Sequence, residues 1–350
     1  MNAGRLATVA VALAVASVAG ASLIDAGRGG GGGSGPGETA TAAVESTPDL
    51  PAAIGTLGDR LLDLPLVAPG TFVGRLVRRQ PACRWLMTDL ATGEETDVTP
   101  PGRCPLWRPG WRYSFEFAVE QSANAPIVRG VEVREGTRSV GRIDLPHEPT
   151  GGAAGTPGGA FALCLRGEHN ETRIYFAARL VRRVAACGPV AFGGEFLFRD
   201  AGRFRDARGR TVLDFGEPAP FVQPTGNGLV VAVAIAAGRV DVYRGRRRIK
   251  SFPLPAGVTT ASVLDTDASA TGQVVLLRVL TDGAADLLVL RGTTVERTRV
   301  GSVLNARLSP DGRAVAAVVA GVAVLLDAVT LAPIARLGIG AEADLAAWTP

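Results

Sequence analysis

Short apolar runs of four to nine residues follow one another along most of this chain, each cut off by Gly, Pro or Asp-Gly. TFVGRLVRR, RYSFEFAVE, RIYFAARLV, EFLFRD, LVVAVAIAA, VVLLRVL and AVAAVVA are representative. They are rich in Val, Leu, Phe and Ala, and their lengths and punctuation are those of strands. No long stripe of helical period competes with them; only a short helix-like segment near Leu50 to Leu64 precedes the first. The pattern predicts an all-β fold of regularly spaced short strands, which means a sandwich, a barrel or a propeller.

Repeats choose among these. Around Gly226, Gly272 and Gly312 the chain makes a turn, an apolar strand, a second turn, another strand and a final one, three times over. The markers lie 46 and 40 residues apart, and the earlier turns at Gly70, Gly110 and Gly158 are spaced by 40 and 48. Periods in the forties with four short strands each point to propeller blades. One interval, the 68 residues between Gly158 and Gly226, is too long and implies either an insertion or an extra degenerate blade.

The stretch ARLSPDGRAVAAVVAGVAVLLDAVTLAPIARL, Ala306 to Leu337, resembles the repeat of TolB-like propellers and their WD-like relatives. In that repeat a hydrophobic-Ser-Pro-Asp-Gly turn joins the first two strands of each blade. Ser309, Pro310, Asp311 and Gly312 match it fully, and Leu106 to Gly110 followed by RYSFEF is a degenerate version. The tetrapeptide has a structural rationale: Pro fixes φ, Asp caps its own turn, and Gly accepts positive φ. The resemblance implies four-stranded blades over residues 64–350, six in number with seven as the alternative. It also implies protein partners.

FVGRLVRRQPAC, from Phe72, returns as FAARLVRRVAAC, from Phe176, 104 residues later. In the blade register both copies are expected on a second strand, two blades apart; a basic binding motif is the functional alternative. The final DLAAWTP, from Asp344, looks like the start of a blade with nothing after it. Propellers close by pairing the two termini in one blade, so Leu345 to Trp348 are expected as the inner strand beside TFVGRLVRR.

Before the strands, Leu6 to Ile24 is a run of nineteen uncharged residues between Arg5 and Asp25. That is close to a bilayer-spanning helix, and it is long for a signal-peptide core. Residues 1–25 therefore read as a membrane anchor or signal segment. Residues 26–63, which begin with the Gly-rich Gly27 to Pro48, read as a flexible linker and connecting segment. The chain is then extracytoplasmic, and Cys83, Cys104, Cys164 and Cys187 become disulfide candidates with three connectivities open. Zinc is a poor alternative without a Cys-x-x-Cys and with only His147 and His169 as histidines.

The net charge of +4 is almost wholly carried by arginine against 33 acidic residues, which is too mild for a nucleic-acid partner. No nucleophile elbow, zincin or EF-hand pattern is present, and no metal or cofactor is expected. Trp107 and Trp348 share one blade position and are expected to pack between blades rather than form a stacking platform. The run YRGRRRIK places Arg246, Arg247 and Arg248 on an outer hairpin as candidate partner contacts. The sequence thus predicts a non-enzymatic, membrane-tethered interaction platform for a cell-envelope protein. A small-ligand or carbohydrate sensor using the central funnel is the alternative, and a hydrolase with an unrecognised site is more distant.

Overall fold

Twenty-seven strands arranged as seven sheets around an axis make up the computed structural model. It describes residues 59–350 except 103, 109–110, 122–125, 168–169, 201, 217–220, 260–261, 282–283, 300–302 and 341–343. The expected anchor at 6–24, the Gly-rich linker and His169 lie outside the described residues. Among the described residues, no helix is long and apolar enough to cross a membrane.

Blade 1 contains β1 (Arg75–Gln80), β2 (Arg84–Asp89) and β3 (Glu95–Asp97), and its inner strand is β27 (Asp344–Thr349) from the far end of the chain. Blade 2 contains β4 (Ser114–Gln121), β5 (Pro126–Glu135) and β6 (Arg138–Asp144), with Leu106 bridging to Phe115 at the inner position. Blade 3 is β7 (Pro149–Gly155), β8 (Ala160–Leu165), β9 (Glu171–Phe176) and β10 (Arg179–Val184). Blade 4 is β11 (Pro189–Phe192), β12 (Glu195–Asp200), β13 (Arg203–Arg205) and β14 (Thr211–Asp214). Blade 5 is β15 (Phe221–Pro224), β16 (Val230–Ala234), β17 (Arg239–Arg244) and β18 (Arg247–Pro253). Blade 6 is β19 (Val263–Ala268), β20 (Val274–Thr281), β21 (Ala284–Arg291) and β22 (Thr294–Arg299). Blade 7 is β23 (Val303–Leu308), β24 (Ala314–Val319), β25 (Val322–Asp327) and β26 (Pro333–Arg336).

The blade number is therefore seven, not six. The long interval between Gly158 and Gly226 holds blade 4, a whole blade made compact by strands of only four, six, three and four residues. Its first reversal, at Gly193-Gly194, carries none of the Ser-Pro-Asp-Gly pattern.

Apolar clusters lie in the seams between blades, which is why second strands such as β16 (VVAVA) and β24 (AVAAVV) are buried on both faces and read as unbroken apolar runs. One cluster joins blades 6 and 7, another blades 5 and 6, a third blades 7 and 1. The seam between blades 3 and 4 is the thinnest of these, with Ala162, Phe196 and Phe198 as its buried core.

Closure has the expected form. β27 pairs antiparallel with β1, setting Trp348 opposite Leu76, and both side chains are buried. Trp348 packs edge-on against Phe72 and donates its indole N–H to the Val73 carbonyl at 3.2 Å. Trp85, Trp107 and Trp111 are likewise packed into the body, Trp85 against Trp107 with ring centroids 5.4 Å apart.

The two copies of RLVRR do not share a position. The first is β1, second in blade 1, where Leu76, Val77 and Arg78 are all buried. The second is β10, the outermost strand of blade 3, where every residue from Arg179 to Arg183 is exposed. Identical local sequence meets two neighbouring blades in one case and solvent in the other, so tertiary context sets the burial.

At Ser309 to Gly312 the chain reverses from β23 into β24. The Ser309 hydroxyl donates to Asp311 and accepts from the Arg313 and Ala314 amides at 3.0 and 2.9 Å, while Gly312 takes φ of +75°. Thr225 and Ser269 cap the corresponding turns of blades 5 and 6.

Candidate functional site

Two groups of polar side chains stand out from this apolar frame, one near the axis and one on the rim. The axial group comes from the inner strands of four consecutive blades: Gln223 on β15, Asp265 and Asp267 on β19, Asn305 and Arg307 on β23, and Asp344 on β27. Arg307 donates to Asp265 at 2.5 Å and to the Ala346 carbonyl at 2.9 Å, so one guanidinium links blades 6, 7 and 1. Asn305 donates to Asp344 at 3.2 Å, and Gln223 reaches Asp265 at 2.5 Å. Asp267 accepts from the Leu308 and Ala268 amides, both at 2.9 Å.

Burial works against the charge on Arg307, and Asp265 with Asp267 more than offsets it, raising its pKa. Arg278 and Arg108 have theirs lowered, chiefly by burial and also by the Arg307 charge, against the opposing pull of Asp265 and Asp344. Burial also raises Asp344, and it pushes Asp267 up to about 6. Arg307 and Asp265 form an ion pair, and Asp267, Asp344 and Arg278 are hydrogen-bonded to neutral groups of the ring, which fastens inner strands together and occupies groups a ligand in the funnel would need.

The pKa of Asp267 has a measurable consequence. A carboxyl raised from 3.8 to about 6 is protonated in the fold while ionised in the unfolded chain, so its contribution falls as pH rises through about 4 to 6. Two units correspond to about 3 kcal/mol. The melting temperature of the wild type is expected to carry a decline from this group between pH 4 and pH 6, and Asp267→Asn to remove most of that decline. An unchanged slope in the variant assigns the titration elsewhere.

The rim group lies where three blades meet. An open groove of about 480 Å³ runs along the thin seam between blades 3 and 4 and is overhung by the β17–β18 hairpin of blade 5. Val181 and Arg182 of β10 form one wall, Glu195 and Phe196 of β12 the other, and the loop carrying Arg208 and Arg210 closes one end. Arg246 reaches in from blade 5, and both carboxylate oxygens of Glu195 accept from it. The Glu195 bond is also the leading cause of the raised Arg246 pKa. Arg210 pairs with Asp206, which is pulled down to about 2: burial opposes the charge, and the Arg210 guanidinium together with the Arg208 and Arg210 amides overcomes it.

Of the three arginines singled out from the sequence, Arg246 belongs to this groove. Arg248 turns back to the buried Asp241, at 3.5 Å, and Arg247 is exposed. The sequence reading missed the axial cluster and, on the rim, Arg208 and Arg210. His147 is exposed. Among the described residues, no group of three or more His, Cys, Asp or Glu side chains is placed to hold a metal ion.

The four cysteines pair as nearest neighbours. Cys83 at the turn after β1 joins Cys104 on the way into blade 2, and Cys164 of β8 joins Cys187 ahead of blade 4, with Cα separations of 5.2 and 5.4 Å. Loops of 21 and 23 residues are each stabilised by about 3 kcal/mol in the chain-entropy view. Such bonds persist in oxidising compartments, so they suggest a location outside the cytoplasm.

No family model matches the chain, and no curated protein does. Solved structures do. A protein from Bacteroides fragilis provisionally named a 6-phosphogluconolactonase aligns over 81% of this chain and 98% of its own at 11% identity and TM-score 0.44. The C-terminal WD40 domain of Sif2 aligns over 75% and 82% at 11% identity and TM-score 0.43. Hsv2p of Kluyveromyces lactis aligns over 62% and 74% at 12% identity and TM-score 0.39. The chain has a seven-bladed β-propeller fold, read from its own sheet topology. Likeness at this level concerns the fold alone. One expectation is nevertheless corrected: with propellers provisionally named 6-phosphogluconolactonases among the matches, the lack of a familiar catalytic pattern does not make this chain a non-enzyme.

Proposed function

We propose that the protein is an extracytoplasmic propeller scaffold of the TolB-like kind, tethered to the membrane by its N-terminal segment, that holds a partner protein of the cell envelope against its arginine-rich rim. The observation that carries this reading is the meeting of arginines from blades 3, 4 and 5 in one groove. Two disulfides and the uncharged run Leu6 to Ile24 support the compartment and the tether. The rim is favoured over the funnel because the axial Asp265, Asp267, Asp344, Arg278 and Arg307 are already hydrogen-bonded within the ring, while the rim offers arginine beside exposed apolar surface, a combination enriched in protein interfaces.

Gentle crosslinking in intact envelopes tests it, using as bait the full chain and a variant with Arg246, Arg247 and Arg248 changed to Ala. A specific protein recovered with the wild type and lost with the variant, both melting alike, is the expected result. Equal recovery by both baits, or no reproducible recovery, overturns the rim as the contact surface and turns attention to the funnel.

A further inference from the structure

Resting on that reading of the rim, we infer that the groove between blades 3 and 4 receives an extended acidic segment of the partner protein, whose carboxylates meet Arg182 and Arg208 and whose apolar side chain seats against Val181. The groove's other charges are spent internally: Arg246 on Glu195 and Arg210 on Asp206. The Arg182 and Arg208 side chains make no ion pair among the described residues, and both are exposed at the groove. Two uncompensated guanidinium groups beside two neutralised pairs give the recess a net positive character, and planar forks of donors suit carboxylates.

The apolar component narrows the ligand class. Val181, on the groove wall, is 63% exposed. Ile174 and Phe196 continue the apolar lining inward. An inorganic anion would leave this surface wet, whereas a peptide carrying both carboxylates and a large apolar side chain covers both components. A bilayer surface, being flat, does not enter a recess between blades. The volume of about 480 Å³ falls in the range of roughly 300–1,000 Å³ typical of ligand pockets, enough for a few residues.

Backbone pairing with β10 is not the mode of binding. Its register against β9 shifts between Leu180 and Arg182, so Val181 sits at a bulge, with Arg182 and Arg183 after it and Arg179 two residues before it. Bulges and cationic side chains are devices that keep a free edge from recruiting another strand. The same bulge lifts Val181 toward the groove wall, so recognition falls to side chains. On this account the second copy of RLVRR is a contact element, whereas the first is part of the core.

The test is a fluorescence anisotropy titration of the purified full chain with a labelled pentapeptide, Glu-Glu-Leu-Glu-Glu. Binding tighter than about 1 mM is expected, weakening as salt is raised. Arg182→Ala with Arg208→Ala is expected to weaken it about tenfold, and Val181→Ser about threefold. Arg84→Ala, which removes an exposed arginine paired with Asp97 on blade 1, is expected to bind as the wild type does. No binding, an unaffected double variant, or an equal loss in Arg84→Ala overturns the inference. The envelope crosslinking separates this failure from that of the scaffold reading. A partner retained by the Arg182/Arg208 double variant but lost with Arg246 to Arg248 keeps the rim and removes Arg182 and Arg208 as its contacts, and with them this inference. A partner retained by both removes the rim as well.

Discussion

A chain ending at residue 343 does not fold to a cooperative ring. The missing β27 supplies the inner strand of blade 1 and pairs along β1 from Arg75 to Arg79. With it go Leu345 and Trp348, each buried to 1% exposure or less, from the cluster that joins blades 7 and 1, and the buried Ala347. Truncating one buried aromatic side chain costs about 3–5 kcal/mol, and a buried leucine about 2–5. Their sum approaches or exceeds the net stability of about 5–15 kcal/mol available to a typical domain. Losing β27 also bares the inner edge of β1, an invitation to aggregation. Thermal melting by circular dichroism should show the truncated chain unfolded or aggregated where the full chain is native. Trp348→Ala, the milder form of the same lesion, should fold but lose about 3–5 kcal/mol in a denaturant titration. Equal melting temperatures for the truncated and full chains would mean that the ring does not depend on this strand.

Arg307→Ala is the second large loss expected, about 3–5 kcal/mol, or roughly 6–10 °C in melting temperature. The guanidinium lies between Asp265 of blade 6 and the Ala346 carbonyl of blade 1, and its removal leaves a largely buried carboxylate without its cation. The sign of a second substitution separates this cause from simple loss of packing. If the orphaned charge is what costs stability, Arg307→Met combined with Asp265→Leu recovers most of the loss, because an apolar pair no longer has to be desolvated as ions. A double variant as unstable as Arg307→Ala would assign the loss to packing at the axis instead.

The sequence disclosed much of the ring and little of the site, for physical reasons that differ from residue to residue. Turns such as Ser309 to Gly312 are local chemistry: hydroxyl, proline, carboxylate and glycine act on their own backbone, so the pattern is visible wherever it occurs. The closing strand was legible for a related reason, since DLAAWTP has the pattern of a blade's first strand. Blade 4 was not, because β13 has three residues and β14 four, too short for alternation to register, and its first reversal lacks the hydroxyl cap. Position on the ring was equally hidden: RLVRR has the same local preferences in β1 and β10, and only the neighbouring blades distinguish core from edge. The axial cluster left a faint trace in the alternating polar residues Asp265, Asp267 and Asn305, Arg307 within otherwise apolar strands. Pairing them required the curvature that brings residues about one blade apart in sequence into contact. Arg208 and Val181 carry no signature at all as contact residues until blades 3 and 4 stand side by side.

That this ring is clamped by disulfides outside the cytoplasm is most directly tested by peptide mapping of the protein drawn from living cells, with free thiols blocked before lysis and digestion without reductant. The account predicts two crosslinked peptide pairs, Cys83 with Cys104 and Cys164 with Cys187, and no blocked cysteine. Blocked cysteines at these positions would contradict the compartment, and any other pairing would contradict the placement of the connections between blades.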